Sequence, residues 1–149
     1  MITCTFENGG KVNLRHVVVD SIVVKDGQIL LIKRSENVSE AGKFGLPGGY
    51  VDRDETADQA ALRELKEETG YSGKVIKLFK VNDTPHRKGD DRQNIALIHT
   101  VEPGEQVGEP DPHEISEVKW FSLDNLPKEE EFAFDHYEIV QEYIKSLNR

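Results

Sequence analysis

The sequence predicts an α/β fold, with helices packed on the two faces of a mixed β-sheet in one domain spanning residues 1–149. Short β-branched runs bounded by turn signals recur along the chain, two helical patterns lie far apart within them, and 149 residues suit a single core. Residues 3–15 read as a hairpin turning at Asn8-Gly9-Gly10. The run from His16 to Val24 is β-branched and apolar; Asp26-Gly27 then signals a tight turn, and Gln28 to Arg34 returns as a strand. Residues 35–42 form a loop. In Leu46-Pro47-Gly48-Gly49 the proline and paired glycines rule out a regular central strand and predict a bend.

Thr56 to Thr69 carries the clearest helix. Thr56 and Gln59 form a capping-box signature, Ala60, Ala61, Leu62 and Leu65 favour helix, and Gly70 supplies the stop. Lys74 to Val81 and Gln93 to Val101 read as strands around a polar loop, residues 82–92. Residues 103–112, rich in Pro, Gly and acid, read as another loop, and Glu117 to Phe121 as a short strand. A last helix is expected over residues 135–146, with Ile139, Val140, Tyr143, Ile144 and Leu147 on one stripe.

Composition narrows the function. Apolar content of 36% and charged content of 32% are ordinary for a globular protein, and no apolar run approaches the length of a membrane span. Nothing at the N-terminus marks the chain for secretion, and a lone Cys4 fits a reducing compartment, so a cytoplasmic location is expected. A net charge of −9 argues against binding a nucleic-acid backbone, which needs many Lys and Arg. His16, His99 and His113 lack zinc-ligand spacing. An acidic protein still works on phosphates when a cation bridges the two.

Glu64, Glu67 and Glu68 supply the place for one. At i, i+3 and i+4 they share one side of the helix, with Leu62 and Leu65 facing the core. Arg63 and Lys66 lie off their centre line, leaving nothing in the helix to offset the repulsion. Taken alone, such a triplet reads as a solvated face. Clustered carboxylates also suit a hard divalent ion.

The surroundings favour the ion. Gly49, five residues, Glu55, seven residues, Arg63-Glu64-Leu65, one residue, Glu67-Glu68, one residue and Gly70-Tyr71 together resemble the Nudix box, the signature of hydrolases acting on nucleoside diphosphates linked to another group. Tyr71 departs from the family's aliphatic residue at a position that packs rather than reacts. Leu46-Pro47-Gly48 before the box and Trp120-Phe121 after it agree with the resemblance. It implies a Nudix-like α/β/α sandwich, with Mg²⁺ or Mn²⁺ held by Glu64, Glu67, Glu68 and the Gly48 carbonyl, and Arg63 clamped to Glu55. It also implies attack of water on a diphosphate, with Glu64 or a later loop acid as base: Glu114 first, Glu117 second.

Substrate residues are less well marked. Arg34 ends the strand leading to the catalytic loop and is a candidate for phosphate contact. His86-Arg87-Lys88 with Arg92 is a basic island, read either as a solvated loop or, through Arg87, as a phosphate attractor. Pro85 and the stretch Phe132-Ala133-Phe134-Asp135-His136 resemble the ADP-ribose-hydrolysing branch, and Phe134 or Tyr137 reads either as core packing or as a ring that stacks on a base. That branch implies a small-molecule nucleotide substrate and a homodimer paired through N-terminal strands. The alternatives are a sanitising nucleoside triphosphate pyrophosphohydrolase and a non-catalytic nucleotide-binding module. Every box acid is present, which counts against the second. Prenyl diphosphate isomerisation would require a core cysteine, and Cys4 lies outside that region.

Overall fold

In the computed structural model, which describes residues 1–147, the chain begins with a hairpin of β1 (Ile2–Thr5) and β2 (Lys11–Leu14) that forms its own two-stranded sheet. The main sheet has seven strands: β3 (Val17–Lys25), β4 (Gln28–Arg34), β5 (Phe44–Gly45), β6 (Gly48–Tyr50), β7 (Tyr71–Asn82), β8 (Ile95–Gln106) and β9 (Ile115–Ser122). Asp26 and Gly27, both at positive φ, close the β3–β4 hairpin as their residue types require. Only Val24↔Ile29 and Lys25↔Gln28 hold these strands together; beyond that they part. β3 continues between β6 and β8, the latter pair parallel, while β4 pairs with β5 and β9. The parting opens a cleft at the far end of the sheet.

Alternation along β3 feeds two cores. Val18 and Ile22 face α2 (His136–Leu147), packing with Ile98, Phe132, Ile139 and Val140. Val19 and Val23 point the other way, toward Ala60, Ala61 and Leu65 of α1 (Ala57–Thr69) and Leu30 and Val101. The sandwich expected from the pattern is therefore present. On α2 the stripe fades: Ile139 and Val140 are buried, Tyr143 and Ile144 pack partly, and Leu147 is exposed.

One expected loop, residues 103–112, begins as strand. β8 runs through Pro103 and Gly104 to Gln106, paired with β7. Past Val101 its parallel pairing with β3 has ended, so β8 has a paired neighbour on one side only, an edge position where a missing N–H is tolerated.

The capping box of α1 is complete, with Thr56 Oγ1 accepting the Gln59 N–H at 3.2 Å and Gln59 Oε1 accepting the Thr56 N–H at 2.8 Å. Gly70 closes the helix at φ 76°, and a Cβ there would run into the Gly108 carbonyl. Gly27 has a similar φ of 73° but open space around it. Gly27→Ala should therefore cost about 1 kcal/mol, the left-handed penalty alone. Gly70→Ala should cost about 1–3 kcal/mol more, because overpacking adds to it. Chemical denaturation of the two variants measures the difference.

Candidate active site

Four glycine-loop and helix positions build the centre of the site. β6 lies along β3 with Gly48 opposite Asp20 and Gly49 opposite Val19. Side chains at either glycine would collide, Gly48 with the Val19 carbonyl and Gly49 with the Glu64 carboxylate, so the loop closes onto α1 only because both lack Cβ. This approach covers the helix acids. Glu68 is 5% exposed and accepts a hydrogen bond from the Gly48 N–H at 2.8 Å. Burial pushes its carboxyl well above the usual range, and burial likewise raises Glu64. The contact to the helix is made by the Gly48 N–H and does not involve the Gly48 carbonyl, the atom that the resemblance names as an ion ligand.

Arg63 corrects one expectation. It does reach its neighbouring acids: Nη1 donates to Glu64 Oε1 at 2.8 Å and to Glu67 Oε2 at 3.1 Å. The other side of the guanidinium grips Glu55, through Nε to Oε2 at 3.1 Å and Nη2 to Oε1 at 2.7 Å, and Nη2 also donates to the Tyr50 carbonyl. This is the expected clamp. A flexible side chain with a planar fork bridges acids that its Cα position alone sets off to one side. Glu67 remains largely exposed.

These groups form part of the wall of a cavity of about 580 Å³. Arg34, Glu114, Phe134, Arg87, Gly48, Gly49, Glu64 and Glu68 all border it. Arg34 donates from Nε to the Ser39 carbonyl at 2.6 Å, and its guanidinium lies 5.2 Å from the centre of the Phe134 ring. Phe134 holds a positive φ of 54°, a strained conformation for a phenylalanine. Glu114 is anchored through its backbone, its carbonyl accepting the Ser35 N–H and its own N–H donating to Asp111. Glu117 lies instead in β9 opposite Lys33 and does not border the cavity.

Arg87 is not part of a solvated island. Its side chain is 4% exposed and fully engaged with Asp135, Nε to Oδ2 at 2.9 Å and Nη2 to Oδ1 at 2.6 Å. Burial opposes the Asp135 charge, but the bonds from Arg87 outweigh it and hold the carboxyl below its ordinary value. Its Asp135 partner stands 48 residues away, so no local pattern marks the pair. Asp20, His136, Asp90 and Asn94 also line the cavity, and the sequence reading singled out none of them for the site. The one available signal was an aspartate inside the apolar run of β3.

All the strong donors to a cation here are oxygens, the donor set of Mg²⁺ or Mn²⁺. Among the described residues no three His, Cys, Asp or Glu side chains are placed to enclose an ion unaided. Mg²⁺ takes one or two carboxylates and completes its shell with water and substrate phosphate.

Residues 14–143 match the sequence model of the NUDIX domain. The chain belongs to the Nudix family. An ADP-ribose pyrophosphatase of Methanocaldococcus jannaschii is 43% identical over 135 residues, covering 89% of this chain and 75% of that protein. The fold matches that of a NUDIX hydrolase from Nitrosomonas europaea with a TM-score of 0.78 at 20% identity, over 89% of this chain and 90% of that one. A bifunctional NMN adenylyltransferase/ADP ribose pyrophosphatase from Francisella tularensis, solved with AMP and a manganese ion, matches with a TM-score of 0.71 at 26% identity. That likeness covers 91% of this chain and 42% of the other. This Nudix chain is a pyrophosphohydrolase. No helix among its described residues is long and apolar enough to cross a membrane.

The Arg63 clamp makes a titration prediction. The Arg63 hydrogen bonds, followed by the Asp52 N–H, lower the Glu55 carboxyl to about 2. A depressed acid contributes stability above its unfolded value and loses it as pH falls through the folded one, here between roughly pH 4.3 and 2. Carboxyl-carbon NMR should find the Glu55 midpoint near 2 in the native protein. In Arg63→Ala it should rise to the ordinary carboxylate range.

Proposed function

We propose that this chain hydrolyses the diphosphate of a nucleoside diphosphate joined to another group, with ADP-ribose favoured and Mg²⁺ or Mn²⁺ required. The observation that carries this reading is a pair of carboxylates, the buried Glu68 and the half-buried Glu64, on the wall of a cavity that also holds Arg34 and Phe134. Two desolvated acids one helical turn apart are unfavourable in an empty protein and favourable beside a divalent cation. The 43% identity to an ADP-ribose pyrophosphatase supports the choice of substrate.

Glu64 and Glu68 would hold the ion, with Glu67 and the Gly48 carbonyl at the rim. When bound, the ion neutralises charge building on the phosphate oxygens and makes water a better nucleophile. Arg63 holds Glu64 in place from one side and, through Glu55 and the Tyr50 carbonyl, holds the glycine loop from the other. Arg34 faces the phosphates as a fixed positive charge. Glu114 borders the same space without a side-chain hydrogen bond among the described residues, and takes the proton from the attacking water. Water oxygen bonds to one phosphorus, the bridging P–O bond breaks, and two phosphomonoesters leave. Phe134 stacks on the base or the Arg34 guanidinium at the mouth. Arg87 acts at one remove, since Asp135 occupies its fork and fixes the loop it belongs to.

A substrate panel with Mg²⁺ tests the reading. ADP-ribose should yield AMP and ribose 5-phosphate faster than any nucleoside triphosphate yields pyrophosphate; the reverse order would assign the chain to the sanitising class. Glu114→Gln should lower kcat by roughly 10²–10⁴-fold with Mg²⁺ affinity unchanged, as for loss of a general base. Glu68→Gln should remove both turnover and Mg²⁺ binding while the circular dichroism spectrum stays native.

A further inference from the structure

Asp20 is a buried acid that the proposed hydrolysis does not use. It points from β3 toward the α2 side, is 6% exposed, and lines the same cavity as Glu64 and Phe134. Its Oδ2 is out of contact with solvent and has no hydrogen-bond partner among the described residues. A carboxyl oxygen in that state is costly unless something donates to it, and buried polar groups are normally paired.

The histidine beside it does not supply the bond. His136 lies across from Asp20, with Nε2 at 3.6 Å from Oδ1, beyond hydrogen-bond range. Its other nitrogen, Nδ1, accepts the Leu46 N–H at 3.0 Å, which places the ring proton on Nε2. One patch of cavity wall therefore offers an acceptor, Asp20, and a donor, the His136 Nε2–H, side by side. Val18, Leu46 and Phe134 supply apolar surface around them.

That combination fits the edge of an aromatic heterocycle better than a sugar. Flat apolar walls bury ring faces, while a few placed polar groups read the rim. Adenine presents the matching pair, an exocyclic N–H₂ donor beside a ring-nitrogen acceptor. From this juxtaposition we infer that Asp20 and His136 recognise the base of the substrate, with Asp20 accepting from the exocyclic amine of adenine and His136 donating to the adjacent ring nitrogen. The inference rests on the nucleotide reading above and names the part of the substrate that selects it.

Binding of non-hydrolysable product fragments tests this independently of turnover. Calorimetry with Mg²⁺ present would compare AMP, purine riboside 5′-monophosphate, IMP and ribose 5-phosphate. The wild-type protein should bind AMP about tenfold or more tightly than purine riboside monophosphate, which lacks only the amine, and than IMP, which carries a carbonyl there. Asp20→Leu should abolish that preference and leave ribose 5-phosphate affinity as it was. Equal affinity of the wild-type protein for AMP and purine riboside monophosphate would overturn the assignment, and this arm needs no variant to fold. Loss of ribose 5-phosphate binding in Asp20→Leu would assign Asp20 to the sugar, and overturn it too. Failure to hydrolyse ADP-ribose, with the AMP preference intact, would contradict the hydrolytic reading and leave the base assignment standing.

Discussion

Glu64 and Glu68 lie one turn apart on α1 with both carboxylates withdrawn from water, and most of the site follows from that arrangement. Burying like charges together is among the most unfavourable things a fold can do. Arg63 meets part of the cost: its fork serves Glu55, Glu64, Glu67 and the Tyr50 carbonyl at once. Among the described residues Glu68 receives only the Gly48 N–H, and burial keeps it strongly shifted toward its protonated form. A divalent ion reverses the balance, because repulsion between the acids becomes shared attraction for the metal. The acids are buried because the glycine loop closes over them, and the loop closes because Gly48 and Gly49 carry no side chains.

The sheet delivers the rest of the site. After two residue pairs β3 and β4 separate, so one can run under β6 and the other can carry Arg34 toward the cavity. The space between is closed by three segments remote in sequence: residues 87–94, Glu114 before β9, and Phe134 with His136 at the start of α2. The Arg87–Asp135 pair ties the first of these to the third. Phe134 keeps a left-handed backbone between the buried Ala133 and the anchored Asp135. Strain of roughly 1–3 kcal/mol at such a residue persists only where the neighbours impose it, and such residues gather at binding sites.

What could be read from the sequence was local. The α1 caps, the tight turn at Asp26-Gly27 and the spacing from Gly49 to Gly70 each involve residues within a few turns of one another, where chain geometry leaves little choice. Of the two later acids the resemblance offered, Glu114 borders the cavity, whereas Glu117, three residues on, is already within β9 and does not. The reach of Arg63 was misjudged because Cα positions on a helical wheel say little about where a long guanidinium ends. Arg87 looked like a surface cation until its partner, 48 residues on, entered the account. The strand through Pro103 was hidden because its tolerance depends on the β3–β8 pairing stopping at Val23, a fact of tertiary pairing. Asp20 was visible as a charge within a β-branched run, but its meaning needed His136 and the cavity beside it.

The claim on which the account turns is that a divalent ion belongs between the glycine loop and the acids of α1. Substoichiometric Mn²⁺ added to ¹⁵N-labelled protein reports this directly, through paramagnetic broadening of nearby amides. The resonances of Gly48, Gly49, Glu64 and Glu68 should be the first to disappear, and a Glu64→Gln, Glu68→Gln protein should keep them. Broadening centred elsewhere, for example on the exposed acids Glu129 to Glu131, or none at all, would contradict it.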